Sequence, residues 1–450
     1  MLPLGALAAG FGLLSVAAVA QTPPVASTPA EAVMAPISVK ARTETDATSV
    51  RATTSGIGKG NQELRDIPQS VTVVTEKLIA DRRIDTLKEA LHQTAGITFQ
   101  AAEGGEEDIR LRGFSLAASG DIYVDGIRDP AFYARDTFSF DRIELLRGSA
   151  SMLFGRGSTG GVVNQVSKLP FLNDAHQVEA TVGNGRYARL TGDFNIKTGE
   201  SSALRLNVMK TDADHWGNGI DKQGIAPTFR WGIGSDDEFT AGLYYLRNDN
   251  GINYGIPWLR ENASNTSPAG LIDIDPRNYY NAKSDYSAGG VTYGNFGHTH
   301  RFQDGGKLTT TLRHGKYERD QRAGAIRFCV NRNGNDPDCP TVAPNRATIN
   351  DATILRIGTN NKVQDMTTTY LQSDYSNRFN WFGVKNDVLT GIDVAHEVFH
   401  NYNLVVPAGV TLDKNTPRVT IGSPNPSNWV DESLRRKTLG REFEAQALGV

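Results

Sequence analysis

Two closely spaced stretches, YARLTGDFNIK at 187–197 and ALRLNVMK at 203–210, alternate apolar and polar residues. In the first, Ala188, Leu190, Phe194 and Ile196 share one face with Gly192 between them, and Arg189, Thr191, Asp193, Asn195 and Lys197 share the other. In the second, Leu204, Leu206 and Val208 oppose Arg205 and Asn207. A period of two marks a strand, because successive side chains leave a pleated backbone on opposite faces. Strands of this length with one apolar and one charged face fit either a soluble sheet wetted on one side or a transmembrane barrel with a polar lumen. The connections separate the two. Short turns fall at TGESS (198–202), GSDD (234–237), QDGG (303–306) and around NWFGVKND (380–387), and long segments lie between them at 211–224, 249–285, 320–364 and 400–434. A barrel in an outer membrane sorts its connections by rim, short turns on one side and long loops on the other, whereas a soluble sandwich has no reason to do so. The expected fold is therefore mainly β, with an antiparallel transmembrane β-barrel over 171–450.

The N-terminal half of the chain has a different texture. Residues 1–20, MLPLGALAAGFGLLSVAAVA, form an apolar run ending in the small-x-small pattern Ala18-Val19-Ala20, as expected of a signal peptide. Residues 21–64 are rich in Ser, Thr, Ala, Pro and Gly and read as a flexible segment, with one strand-like exception, PISVKA at 36–41. No later stretch supplies the roughly 18 apolar residues of a spanning helix, so membrane embedding must use strands. With 47 basic and 50 acidic residues the net charge is only −3, and no nucleic-acid partner is implied. Cys329 and Cys339 are the only cysteines; in an exported protein a pair this close predicts a small disulfide loop, and two cysteines cannot supply four zinc ligands.

Residues 65–170 read as a small α+β domain. IPQSVTVVT (67–75) predicts a strand, and DTLKEALHQTAG (85–96) a helix capped by Asp85 and stopped by Gly96, with Ile84, Leu87 and Leu91 on one face. DIRLRGF, DIYVDGIRD and FDRIELLRG follow as short strands. Two motifs carry competing chemistry. FGRGSTGGVVN (154–164) contains Gly155, Gly157 and Gly160 at the spacing of a dinucleotide-binding loop, but the residues after it are β-branched and not helical, so the predicted feature is a glycine turn joining two strands. HEVFH (396–400) matches the zinc-protease pattern, which needs a helix to bring His i and i+4 to one metal. Val388, Ile392, Val394 and Val398 stand at even spacing around it, predicting a strand on which His396 and His400 stand about 13 Å apart at about 3.3 Å per residue. Neither a metal site nor an enzyme is expected, and Ser115, Ser119 and His92 show no nucleophile and base spacing.

IPQSVTVVT, TLKEALHQTAGI, IRLRGF, DIYVDGIRD, FDRIELLRGSASMLFGRGSTGGVVNQVSK and GNGRYARLTGDFN, in that order, closely resemble the plug domain and first barrel strands of TonB-dependent siderophore receptors, the ferric-catecholate type being nearest. The resemblance is dense over about 65–200 and looser beyond. It implies a plug at 65–170 inside a β-barrel, an outer-membrane location, and import of a ferric siderophore driven by the energy-coupling protein TonB, with no cofactor. It also implies that PISVKA is the TonB box, Pro36, Ile37, Ser38 and Val39 being its core, and that FGRGSTGGVVN is a late turn and strand of the plug. Family barrels have about 22 strands; only nine or ten are countable after residue 171, so the chain is expected to hold the N-terminal portion of a barrel. A receptor for another large ligand such as haem or cobalamin is the alternative within the class, and a zinc protease or a structural outer-membrane protein outside it.

A ferric tris-catecholate is a trianion sheathed in aromatic rings, so its site calls for arginine and aromatic faces and for no direct iron ligand. DGIRDPAFYARDTF (125–138) gathers Arg128, Phe132, Tyr133 and Arg135, and Phe114 follows the RLRG strand. From the long segments, Trp216, Tyr254, Trp258, Arg277, Tyr279 and Tyr280 join the candidate set, NYGIPW (253–258) resembling a stretch of the same receptors. The expected partners are thus the ferric siderophore, TonB and outer-membrane lipid.

Overall fold

A computed structural model describes residues 48–60, 62–100, 108–116, 120–130, 133–154, 160–215, 217–264, 266–334, 336–425 and 427–450. The expected signal peptide, the segment Pro36–Val39, Gly155, Gly157, Phe132 and Trp216 lie outside the described residues.

The plug begins with a short hairpin, β1 (Thr54–Ser55) and β2 (Gln62–Glu63), followed by β3 (Ser70–Thr75), α1 (Glu76–Asp81) and α2 (Leu87–Leu91). Next come β4 (Ile97–Gln100), β5 (Asp108–Leu111), β6 (Phe114–Ser115), β7 (Ile122–Val124), β8 (Ile127–Arg128), β9 (Phe140–Arg147), α3 (Ser151–Phe154) and β10 (Gly161–Ser167). Its main sheet has the order β3-β9-β10-β7-β8, and β4-β5-β6 form a second. Strand β9 is interior to the sheet, and FDRIELLR places Phe140, Ile143, Leu145 and Leu146 in apolar surroundings on both faces. The helix expected over 85–96 is shorter, and Thr86 replaces Asp85 as its cap. The Thr86 hydroxyl accepts from Glu89 N while the Glu89 carboxylate accepts from Thr86 N, closing a capping box. The Asp85 carboxylate is drawn away to Arg189, 3.1 Å distant, and to the Tyr187 hydroxyl. Ile84, Leu87 and Leu91 do face the core together. A second correction concerns the flexible segment, whose last part is folded: Ile57 is buried with Tyr123, Leu146 and Val162, and Gly56 N donates to Glu144 Oε1.

The long strands follow: β11 (Ala175–Gly183), β12 (Tyr187–Lys197), β13 (Ser202–His215), β14 (Asn218–Trp231) and β15 (Asp237–Gly251). After the loop hairpin β16 (Leu259–Arg260) and β17 (Ala269–Gly270) come β18 (Tyr286–Arg301) and β19 (Lys307–Ala323). Then β20 (Ile326–Phe328) and β21 (Ile354–Ile357) precede β22 (Asn360–Trp381), β23 (Val384–Val405), β24 (Val419–Thr420) and β25 (Arg436–Gly449). Ten of these form one antiparallel sheet in the order β11-β12-β13-β14-β15-β18-β19-β22-β23-β25, in keeping with the nine or ten counted.

The faces of that sheet decide between the two homes open to alternating strands. Leu190 and Ile196 are 53% and 41% exposed, while Arg189, Asn195, Arg205 and Asn207 are 8%, 1%, 5% and 2% exposed. The polar face is the inner one and the apolar face looks out, the reverse of a soluble sheet and the rule for a barrel in lipid. At the short-turn end Trp231 stacks on Phe239 (5.3 Å) and Phe229 (5.6 Å) beside Phe296, an outward aromatic band of the kind found where such barrels meet the membrane interface.

One expected loop is strand. Residues 211–224 pair in register from Thr211↔Lys222 to His215↔Asn218, so β13 and β14 run on as far as that pair. Its run of Asp, Lys and Asn hid the strand because the outward residues here, Lys210, Asp212 and Asp221, are polar like their neighbours, so the apolar alternation is lost although Thr211, Ala213 and Lys222 are buried on the inner face. The other long connections are real but shorter than expected, at 252–285, 324–359 and 406–435. They share an apolar cluster of Tyr280, Ile326, Leu355, Ile357, Val419 and Ile421, and β20, β21 and β24 pair as a small sheet across two of them.

The plug sits against the inner face through both apolar and charged contacts. Phe138 and Phe140 pack on Tyr244, which stacks on Tyr293 at 4.8 Å. Arg189 of β12 makes two hydrogen bonds to buried Asp136, 3.0 and 2.7 Å, and Lys168 bridges Glu76 and Asp193, both at 2.9 Å.

Candidate functional site

The β7–β8 hairpin turns through Asp125 and Gly126, both at positive φ, and the Asp125 carboxylate is held by Ser167 N and Oγ, each 2.7 Å away, and by Arg313 at 3.4 Å. From this turn the chain rises toward the long-loop side, carrying Arg128 and then the segment 129–135. Arg128 is half-buried, and its Nη1 lies 3.4 Å from Glu397 Oε1 on β23. The Glu397 carboxylate is 5% exposed and also accepts from the Tyr370 hydroxyl on β22. The Arg128 side chain keeps 28% of its surface accessible beside this pair.

Arg135 and Tyr133 have a different position from the one expected of ligand-contacting groups. Arg135 is fully buried: Nε donates to Asp129 Oδ2 at 2.8 Å, Nη2 to the Pro130 carbonyl at 2.6 Å, and the guanidinium lies 4.6 Å from the Tyr133 ring. Tyr133 donates its hydroxyl to the same Asp129 oxygen at 2.9 Å, and burial, reinforced by that carboxylate, pushes its phenol well above the ordinary value. Together these three staple the 129–135 segment. Sequence proximity put Arg135 beside Arg128 in the candidate cluster, but the charge partner six residues upstream turns it inward.

Phe114 is 48% exposed on the β5–β6 hairpin, beside Gly160, where an added Cβ would lie 2.5 Å from the Leu111 carbonyl and 3.2 Å from Phe114 Cβ. The glycine of the apparent nucleotide motif is therefore required by close packing, and the segment after it is strand β10, as expected, with no helix to hold a phosphate. In the loops, Trp258 is 65% exposed and Arg277 is exposed, its guanidinium 2.9 and 3.1 Å from the Asp275 carboxylate, which it holds down at about 2. Tyr254 is half-buried and accepts from Asn360 Nδ2. Tyr279 and Tyr280 are buried, donating to the Ile252 carbonyl at 3.0 Å and the Ile421 carbonyl at 2.7 Å, so they brace the loop cluster. The 324–359 connection is tied by the Cys329–Cys339 disulfide, with Cα atoms 5.4 Å apart, as expected from the cysteine spacing.

HEVFH lies within β23, and its residues diverge. His396 Nε2 meets Glu444 at 3.0 Å and His400 Nδ1 meets Asp365 at 2.7 Å on the outer face, while Glu397 points to the lumen. Among the described residues the one His, Cys and carboxylate group close enough to hold a metal is Cys329, Asp336 and Cys339, whose sulfurs are already joined to each other. We expect His396→Ala and His400→Ala to leave the purified protein without any change in metal content; elemental analysis finding one zinc per chain, lost in either variant, would contradict the strand geometry. Glu397 and Tyr370 were missed by sequence reasoning, although the outward parity of Val394 and Val398 assigns Glu397 to the inner face.

Residues 63–162 match the TonB-dependent Receptor Plug Domain. The chain is 35% identical to the "Probable TonB-dependent receptor BfrD" of Bordetella pertussis over 48% of its length and 30% of that protein. It is 30% identical to the "Probable TonB-dependent siderophore receptor PiuA" of Acinetobacter baumannii (60% of this chain, 37% of that) and 27% identical to the "Catecholate siderophore receptor Fiu" of Escherichia coli (82% and 48%). The chain thus spans less than half the length of these curated relatives. Its fold is that of the PiuA crystal structure, with a TM-score of 0.76 over 90% of this chain and 57% of that one at 23% identity. Against Fiu in its open form the TM-score is 0.70 over 86% and 57%, at 22% identity.

Proposed function

We propose, for a chain that carries the plug domain and first barrel strands of a TonB-dependent receptor, that it imports ferric siderophores across an outer membrane, with catecholate chelates as the ligand class. The observation that carries this reading is the plug inside an inverted, polar-lumened sheet, joined to a match of 82% of the chain with a catecholate receptor. Energy comes from an inner-membrane TonB partner through Pro36–Val39, adding as a strand to the partner's sheet. The ligand surface combines Arg128 with exposed aromatic faces, Phe114 and Trp258, and Arg277, with Phe132, Trp216 and Tyr254 as further members. Tyr133, Arg135 and Tyr279 shape the surface from beneath.

The test is growth of iron-starved, receptor-deficient cells expressing the full-length gene on a panel of ferric chelates, with haem and cobalamin included. Rescue by catecholates supports the reading; rescue by haem alone, or by none, overturns it. Within that assay Arg128→Ala is expected to weaken binding of an anionic ferric catecholate by about 1.5–3 kcal/mol, the range for hydrogen bonds to charged groups, or roughly 10- to 150-fold in Kd. Unchanged affinity of the purified receptor would remove Arg128 from the site.

A further inference from the structure

The three long connections are joined by buried charges as well as by their apolar cluster. Strands β23 and β25 are neighbours in the sheet, and a tight turn would serve to join them. Their connection at 406–435 instead folds back toward the start of β18, three places along the sheet. On the way Val419 pairs with Leu355, and Arg322 at the end of β19 donates to the Glu432 carbonyl. Lys283 N donates to the Asn428 carbonyl at 2.6 Å, and Val430 N to the Ser284 hydroxyl at 3.2 Å. At the centre of this contact Lys414 is buried, its ammonium paired with Asp285 and, at 2.8 Å, with Glu432 Oε1; both carboxylates are buried too. Arg435 Nε donates to the other Glu432 oxygen at 2.8 Å, so two cations and two anions balance away from water.

Asp285 carries the contact onward. Its Oδ2 accepts from Gly324 N at 2.9 Å and from Asn281 Nδ2 at 3.0 Å, and Asn281 Nδ2 also donates to the Gly324 carbonyl at 2.7 Å. Asn281 Oδ1 then accepts from Tyr254 N at 2.9 Å, while the Tyr254 hydroxyl accepts from Asn360 Nδ2 at the start of β22. One line of polar contacts thus runs from Lys414 through Asp285 and Asn281 to the backbone of Tyr254, on the segment that carries the exposed Trp258.

We propose that Lys414 is a positioning residue for ligand capture: it locks the three connections in one arrangement before any ligand arrives, and so holds Tyr254 and Trp258 where an aromatic chelate can meet them. The proposal rests on the import reading above. Apolar contacts alone, such as those of Tyr280, Ile357 and Ile421, tolerate sliding because the hydrophobic effect has no direction. A buried ammonium held between Asp285 of one connection and Glu432 of another does not, since moving either connection strands a charge out of water. A surface ordered in advance binds without the cost of ordering loops at the moment of contact. Loops that sample several arrangements lose affinity in proportion to the time spent in the wrong ones.

The experiment uses the full-length receptor purified in detergent. In Lys414→Met, deuterium exchange of peptides containing Tyr254 should quicken by about fivefold or more, although Tyr254 lies on a different connection from the substitution. Binding of a synthetic ferric tris-catecholate should weaken roughly tenfold in Kd, as when the competent arrangement falls to about a tenth of the population. The double variant Lys414→Met with Asp285→Asn leaves Glu432 paired with Arg435 and strands no charge, so its thermal unfolding should return to that of the wild type. Fast exchange at Tyr254 and the weakened Kd should nevertheless persist in it. Recovery of affinity together with stability in the double variant would make Lys414 a structural group only and overturn the positioning role. Faster exchange confined to 406–435 in Lys414→Met would overturn it equally. If the wild type binds no chelate on the growth panel, the import reading falls, and the exchange result alone then judges the locking of the three connections.

Discussion

Asp129→Ala should destabilise the plug by about 3–5 kcal/mol, the cost of removing one partner from a buried ion pair. The Arg135 guanidinium has no exposure, and the Asp129 oxygen that accepts from it also accepts from the Tyr133 hydroxyl, so one substitution strips a carboxylate from two buried groups at once. Thermal unfolding of the purified receptor in detergent should show the plug transition lowered by many degrees, with the barrel transition little changed. Asp129→Asn keeps acceptors in place and should lose less. The double variant Asp129→Ala with Arg135→Met should be more stable than Asp129→Ala alone, because the stranded charge is gone. A single variant as stable as wild type would mean that Arg135 is not held by this pair and is free to serve as a ligand contact after all.

Replacing Ile37 by Pro should abolish uptake of the chelate while leaving surface binding intact. An outer membrane holds no ion gradient of its own, so on the proposed import function inward release needs mechanical coupling, which strand addition would supply through main-chain hydrogen bonds. Proline removes an amide and fixes φ, which breaks such pairing, whereas Ile37→Thr retains both the amide and β propensity and should transport normally. Iron uptake at the wild-type rate by the Ile37→Pro receptor would exclude this segment as the coupling strand. Loss of surface binding would instead trace the defect to folding.

Strand identity and sheet order were legible because alternation and short turns are local signals, and the same alternation told that HEVFH is strand. Where the outward residues are polar as well as the inward ones the alternation fades, so 211–224 reads as a loop in sequence although it pairs through His215↔Asn218 with Thr211 and Ala213 buried. The plug's strands were readable for the same reason, but Asp85 and Thr86 are both good helix caps, and only the presence of Arg189 on a strand a hundred residues away decides between them. The candidate site was legible in composition and less so in orientation. Arg128 and Arg135 look alike in sequence, and it is Asp129 beneath one and Glu397 beside the other that separates a staple from a lumen-facing cation. Tyr279 and Tyr280 likewise differ from Trp258 only in what the neighbouring loops cover.

The inverted faces of the sheet bear on how such a chain reaches its membrane at all. A surface that ends in lipid must first travel as an unfolded polymer through the inner membrane's export machinery, where a continuous apolar run of about 18–20 residues would be arrested as a spanning helix. Interleaving each lipid-facing residue with a lumen-facing polar one, as Leu190 with Arg189 and Leu206 with Arg205, keeps every such window of the strands unremarkable; the chain's mean hydropathy is −0.38. Hydrophobicity appears only when the strands pair and sort their side chains by face. The pattern that builds the lumen thus also serves as a passport, hiding the protein's destination from the first bilayer it crosses until it folds in the second.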